Sequence, residues 1–120
     1  MSIGDWEGEK YSQLQIDHQL TERCTKDPQW RPPNGESLAD VALRMRNSLE
    51  QITQTHNDDS TVLVVSHGAA MAIALATLLH DDPSKWGDYH FNNCSLTELK
   101  LGDEASLGQF NDCSHLGMFG

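Results

Sequence analysis

The chain has 120 residues, about one domain at the usual length of roughly 100 to 200 residues. Its 8 Lys and Arg stand against 18 Asp and Glu, a formal charge of −10, which repels nucleic-acid phosphates and anionic membrane surfaces and excludes both as partners. The cysteines Cys24, Cys94 and Cys113 form no C-x-x-C pair, and no stretch has the pattern of a signal peptide or a membrane-length apolar run, so free thiols, no metal site and a cytoplasmic location are expected.

In chain order, Gly4 and Gly8 bracket Trp6 and Glu7, which predicts a loop running into a short helix from Lys10, with the polar segment to Asp27 also helical. "DPQWRPPNGES" (27–37) holds three of the 4 prolines and predicts an ordered loop in which Trp30 packs. Ser37 with Asp40 three positions on makes a capping-box start. The helix that follows carries Leu38, Val41, Ala42, Met45, Leu49 and Ile52 at helical spacing, with Arg44, Arg46, Asn47 and Glu50 mostly off that stripe. "HNDDS" (56–60) ends it. "TVLVV" (61–65) is apolar without alternation, the pattern of a central parallel strand covered on both faces. Residues 69–79 are apolar nearly all round and predict a deeply packed helix, with a loop at 80–93 beyond it. "CSLTELKL" (94–101) and "SLGQF" (106–110) predict a hairpin around Gly102. The order helix, strand, helix, strand, strand is an α/β layout whose best-defined unit is 37–79.

The strand-to-helix junction Ser66-His67-Gly68 is where open α/β sheets collect ligands, because free N–H groups and the helix dipole favour negative charge there. A charged imidazole at His67 would add a charge-assisted hydrogen bond to a phosphoryl oxygen. The same placement also suits a histidine that only bonds a neighbouring carbonyl, with Gly68 letting the chain turn. A rival chemistry uses Ser66, since Ser66, Asp103 and His115 occur in the order of a serine hydrolase triad, although Val64 stands where the strained elbow needs glycine. His18, His56, His80, His90 and His115 occur singly, without an i, i+4 pair suited to metal. Trp6, Trp30 and Trp86 serve either as core anchors or as a rim, while Glu7 and Glu36 are motif carboxylates of which Glu36 precedes a helix start, where a carboxylate is favourable for the dipole alone.

Together "GDWEG" (4–8), "NGESLADVALRMR" (34–46) and "VLVVSHGAAMAIAL" (62–75) resemble the histidine phosphatase, or phosphoglycerate-mutase-like, superfamily, and "FNDCSHL" (110–116) is similar to that family's closing segment. The resemblance implies an α/β fold, a mostly parallel sheet with helices on both faces, and phosphoryl transfer through a phosphohistidine. It implies that His67 is the second histidine of the phosphate pocket, a catalytic residue that also binds substrate together with Gly68. It further implies a small phosphorylated molecule as ligand, no cofactor and no metal. The family's Arg-His-Gly nucleophile motif occurs nowhere in the chain, and none of Arg23, Arg31, Arg44 and Arg46 sits in a matching clamp motif. Residues 1–120 are therefore expected to form a single partial domain, the C-terminal portion of such a phosphatase or mutase, with the first strand absent and catalysis dependent on what is missing. The alternatives are a non-catalytic phosphate-binding remnant, or one that forms a homo-oligomer through the exposed sheet edge.

Overall fold

The computed structural model describes residues 1–119, and Gly120 lies outside them. At the N-terminus, two glycine-containing turns are pressed together. Gly4 has φ of +58°, and a Cβ on it would stand 2.1 Å from the Pro33 carbonyl oxygen, so only glycine fits this approach. The Asp5 N–H donates to that carbonyl at 2.9 Å, the Glu36 N–H donates to the Ser2 carbonyl at 2.8 Å, and the Asn34 amide donates to the Asp5 carboxylate.

The segment expected to be helical up to Asp27 is two helices, α1 (Tyr11–His18) and α2 (Leu20–Lys26). Gln19 breaks them with a left-handed φ of 51°. The Gln15 side chain brackets the kink, accepting from the Thr21 N–H at 3.0 Å and donating to its hydroxyl at 2.6 Å. The kink turns Leu14, Leu20 and Cys24 into one core, and burial pushes the Cys24 thiol pKa up.

Helix α3 (Leu38–Thr55) begins with the expected capping box. The Ser37 hydroxyl accepts from the Asp40 N–H at 3.0 Å, and the Asp40 carboxylate accepts from the Ser37 N–H at 2.9 Å. Arg31 closes on the same carboxylate with two hydrogen bonds of 2.6 and 2.7 Å. Of the apolar stripe, Leu38, Val41 and Ala42 are buried, while Met45, Leu49 and Ile52 are only half-buried, since α3 runs past the elements that cover it.

Helix α4 (Gly68–His80) packs on α3 and on the 3-10 turn Pro83–Asp88. Ala72, Ile73, Ala74, Leu75, Ala76 and Thr77 are all buried, and six consecutive positions pass through more than one full turn, so this helix is covered on every side. Trp6, Trp30 and Trp86 pack against the core as anchors. No helix among the described residues is long and apolar enough to cross a membrane.

The sheet differs from the expectation. Among the described residues the named strands are β1 (Leu99–Lys100) and β2 (Ser106–Leu107), an antiparallel hairpin with Leu99 opposite Leu107. A bulge opposes Glu98 to both Gly108 and Gln109, and a bridge joins Leu96 to Asp112. The hairpin around Gly102 thus forms, whereas among the described residues no parallel pair of strands is present. Residues 61–66 make no backbone hydrogen bond to any described residue. Val62, Leu63, Val64 and Val65 are 40, 79, 43 and 87% exposed. Exposure thus alternates along the segment, lower at Val62 and Val64 and higher at Leu63 and Val65, and among the described residues no named strand pairs with it. The radius of gyration of 15.6 Å accordingly exceeds the roughly 13.6 Å of a compact chain of this length.

The cap of α3 is open to a stability test. Ser37→Ala is expected to destabilise the fold by about 1 kcal/mol in urea unfolding. Arg31 and the Ser37 N–H hold the Asp40 pKa well below the usual aspartate value. The Asp40 contribution is therefore complete above about pH 4 and is lost on acidification below it. Asp40→Asn should show a smaller loss of stability between pH 5 and 3 than the wild type; an equal loss would show that Asp40 does not carry the acid sensitivity.

Candidate functional site

The extended segment 61–66 runs into His67, the N-cap of α4, with φ of −101° and ψ of 149°. The imidazole does not cap the helix, is exposed, and has no hydrogen-bond partner among the described residues. The reading in which it merely bonds a nearby carbonyl is not what the structure has. The Met71 N–H donates to the His67 carbonyl at 2.9 Å, while the N–H groups of Gly68, Ala69 and Ala70 have no backbone acceptor among the described residues. No acidic residue lies in the first turn, so the positive end of the α4 dipole is left unneutralised.

Gly68 is helical, and a Cβ on it would meet only the Phe91 Cβ, at 3.9 Å, an ordinary contact. The turn therefore does not require glycine here. What the missing side chain leaves is clear approach to the free N–H groups.

Phe91 is the neighbour that sequence reasoning missed. The 81–93 segment returns along α4 from its C-terminus and brings Phe91 to its first residue. His80 hydrogen-bonds the Tyr89 hydroxyl, the Tyr89 ring meets Phe110 edge-on at 5.8 Å, and Phe110 meets Phe91 edge-on at 5.2 Å. The available signal was the spacing of Tyr89 and Phe91 at period two in a stretch otherwise read as loop.

None of the arginines joins the junction. Arg31 is bound to Asp40, Arg44 to Glu36 and Arg46 to Asp81, and Arg23 lies 5.6 Å over the Trp30 ring. Glu36 also accepts from the Ser2 N–H at 2.7 Å, and Glu7 accepts from the Ser2 hydroxyl at 3.0 Å, so both carboxylates hold the N-terminal turn. The serine hydrolase triad is not assembled: Asp103 is exposed in the hairpin turn, lining a groove with Arg46 and Glu50. The His115 Nε2 bonds the Cys94 carbonyl at 2.9 Å, and Ser66 has no hydrogen bond to either. Of the other histidines, His18 stacks on Trp6 at 4.0 Å and His56 bonds the Ile52 carbonyl. Among the described residues no group of three His, Cys, Asp or Glu is placed to hold a metal.

Comparison with known proteins places this junction in a family. The model of the histidine phosphatase superfamily (branch 1) matches residues 1–112. Glucosyl-3-phosphoglycerate phosphatase of Mycobacterium tuberculosis is 29% identical over 106 residues, covering 81% of this chain and 48% of that protein. A probable phosphoglycerate mutase of Yersinia enterocolitica is 33% identical over 94 residues, covering 73% and 43%. The solved complex of a mycobacterial glucosyl-3-phosphoglycerate phosphatase with inorganic phosphate superposes with a TM-score of 0.73 at 27% identity, covering 92% of this chain and 59% of that one. The chain thus spans about half the length of the relatives it matches. The chain belongs to the histidine phosphatase superfamily.

Proposed function

We propose that the His67–Gly68 junction is the phosphate-binding end of a phosphoryl-transfer site, in a protein that acts on a small phosphorylated molecule as a phosphomonoester phosphatase or phosphoglycerate-mutase-like enzyme. The observation that carries this reading is an uncapped helix N-terminus with an unpartnered histidine at its N-cap, in a chain that matches a phosphatase solved with inorganic phosphate. The free N–H groups of Gly68, Ala69 and Ala70 take phosphoryl oxygens. His67 adds a charge-assisted hydrogen bond that strengthens as negative charge builds on those oxygens during transfer. With a formal charge of −10, the chain as a whole repels an anion, so these local donors supply the attraction.

His67 is a catalytic residue in this reading by stabilising charge, and the nucleophile is a different group. No Arg-His-Gly occurs in the 120 residues, and their arginines are engaged elsewhere. Nucleophile, clamp and general acid come from polypeptide beyond these residues, which also supplies the parallel strands that flank 61–65 and the layer over Leu63 and Val65. By themselves the 120 residues bind phosphate without turning over a phosphomonoester.

A second reading is favoured by the 79 and 87% exposure of Leu63 and Val65. In it the chain is a non-catalytic remnant that forms a homo-oligomer by pairing this bare segment with another copy.

Three outcomes test these readings. Inorganic phosphate should shift the Gly68, Ala69 and Ala70 amide resonances, and His67→Ala should weaken that binding by about tenfold to a hundredfold, the scale of one charge-assisted hydrogen bond. An unchanged affinity in the variant would sink the assignment. Gly68→Ala should weaken phosphate binding several-fold while changing stability by no more than about 1 kcal/mol, since space for the methyl exists. For the second reading, light scattering should give a concentration-dependent mass that Val65→Lys abolishes; a monomer at all concentrations rules it out.

A further inference from the structure

We propose that Phe91 is the apolar wall of the phosphate-binding end of α4, a specificity-determining residue that sorts phosphorylated ligands by the carbon group they carry. The inference rests on the phosphate reading of His67 and Gly68 and adds to it a surface for the rest of the ligand. Three observations lead to it.

The first is position. Phe91 Cβ lies 3.9 Å from the point where a Cβ on Gly68 would stand, beside the first free N–H groups of the helix. The second is how firmly Phe91 is held. Its ring packs edge-on against Phe110 at 5.2 Å, and Phe110 against Tyr89 at 5.8 Å. The next residue, Asn92, donates its N–H to the Asn111 side-chain carbonyl at 2.8 Å, and the Asn111 N–H donates to the Thr97 hydroxyl at 2.9 Å. The third is that Phe91 is half-buried and is not among the residues of the helical core, so part of its surface is left exposed.

The chemistry follows. Backbone N–H groups and an imidazole read a phosphoryl group by charge and hydrogen bonding, and they give the same welcome to free phosphate and to any phosphomonoester. Discrimination needs a contact with the part that is not phosphate, and ligand sites obtain it from apolar and aromatic walls around a few polar groups. A fixed ring at this place supplies that contact and loses little conformational freedom on binding. The ligand class that gains most has an apolar or aromatic carbon group on the ester oxygen.

The test is a titration of the Gly68, Ala69 and Ala70 amide resonances with inorganic phosphate and with phenyl phosphate. The wild-type chain is expected to prefer phenyl phosphate by about fivefold to tenfold, the scale of one aromatic contact. Phe91→Ala should erase that preference and leave inorganic phosphate within about twofold, and Phe91→Leu should keep part of it. A preference that survives Phe91→Ala, or an equal loss for both ligands, overturns the proposal, the second outcome marking a purely structural role. If Phe91→Ala does not fold, Phe91→Leu decides: a reduced preference supports the wall and an undiminished one refutes it. A wild-type chain that binds phenyl phosphate no better than phosphate refutes the wall alone, whereas one that binds neither refutes the phosphate reading as well.

Discussion

A helix that is apolar on every side must be covered on every side, and in this chain α4 imposes that constraint. Ala72 through Thr77 are all buried, so α3, the Pro83–Asp88 turn and the N-terminal helices are arranged around them. Only the ends of α4 are left outside. At one end stands His67 with the first free N–H groups, and at the other His80 meets Tyr89. The burial that stabilises the fold is thus also what presents the junction: with the middle of the helix sunk in the core, its unsatisfied N-terminus becomes a surface feature.

The bare segment 61–66 has the opposite character. Four apolar residues with no backbone partner among the described residues are a high-energy surface, and their exposure alternates, higher at Leu63 and Val65 than at Val62 and Val64. Such a strand is stable inside a sheet that brings neighbours to both edges. Its length relative to known members gives the context, since the chain spans 48% of the mycobacterial phosphatase it resembles. The junction and the bare segment are continuous: residues 61–66 lead the chain into His67 and the first turn of α4.

Much of this was legible in the residues. The capping box at Ser37 and Asp40, the stripe on α3, the all-round burial of α4 and the hairpin around Gly102 follow from local spacing, and local spacing survives whatever else the fold does. The family was legible because its motifs recur in order along the chain. Two things were not. The continuous run TVLVV was expected to be a buried central strand, but burial is a property of neighbours, and among the described residues positions 61–65 are all exposed. The break at Gln19 was hidden because it depends on Gln15 reaching Thr21 across the kink, a contact that helix propensity does not encode.

The amino-acid sequence determined on its own where α3 and α4 start and stop, that α4 had to be buried, and that a histidine would stand at its first turn. These depend on residues close together in the chain. Only the tertiary structure decided that this histidine is unpartnered, that every arginine is engaged elsewhere, and that Phe91, 23 positions along the chain from Gly68, returns to stand beside it. Those facts depend on groups far apart in the chain, and packing around α4 is what brings such groups together or keeps them apart.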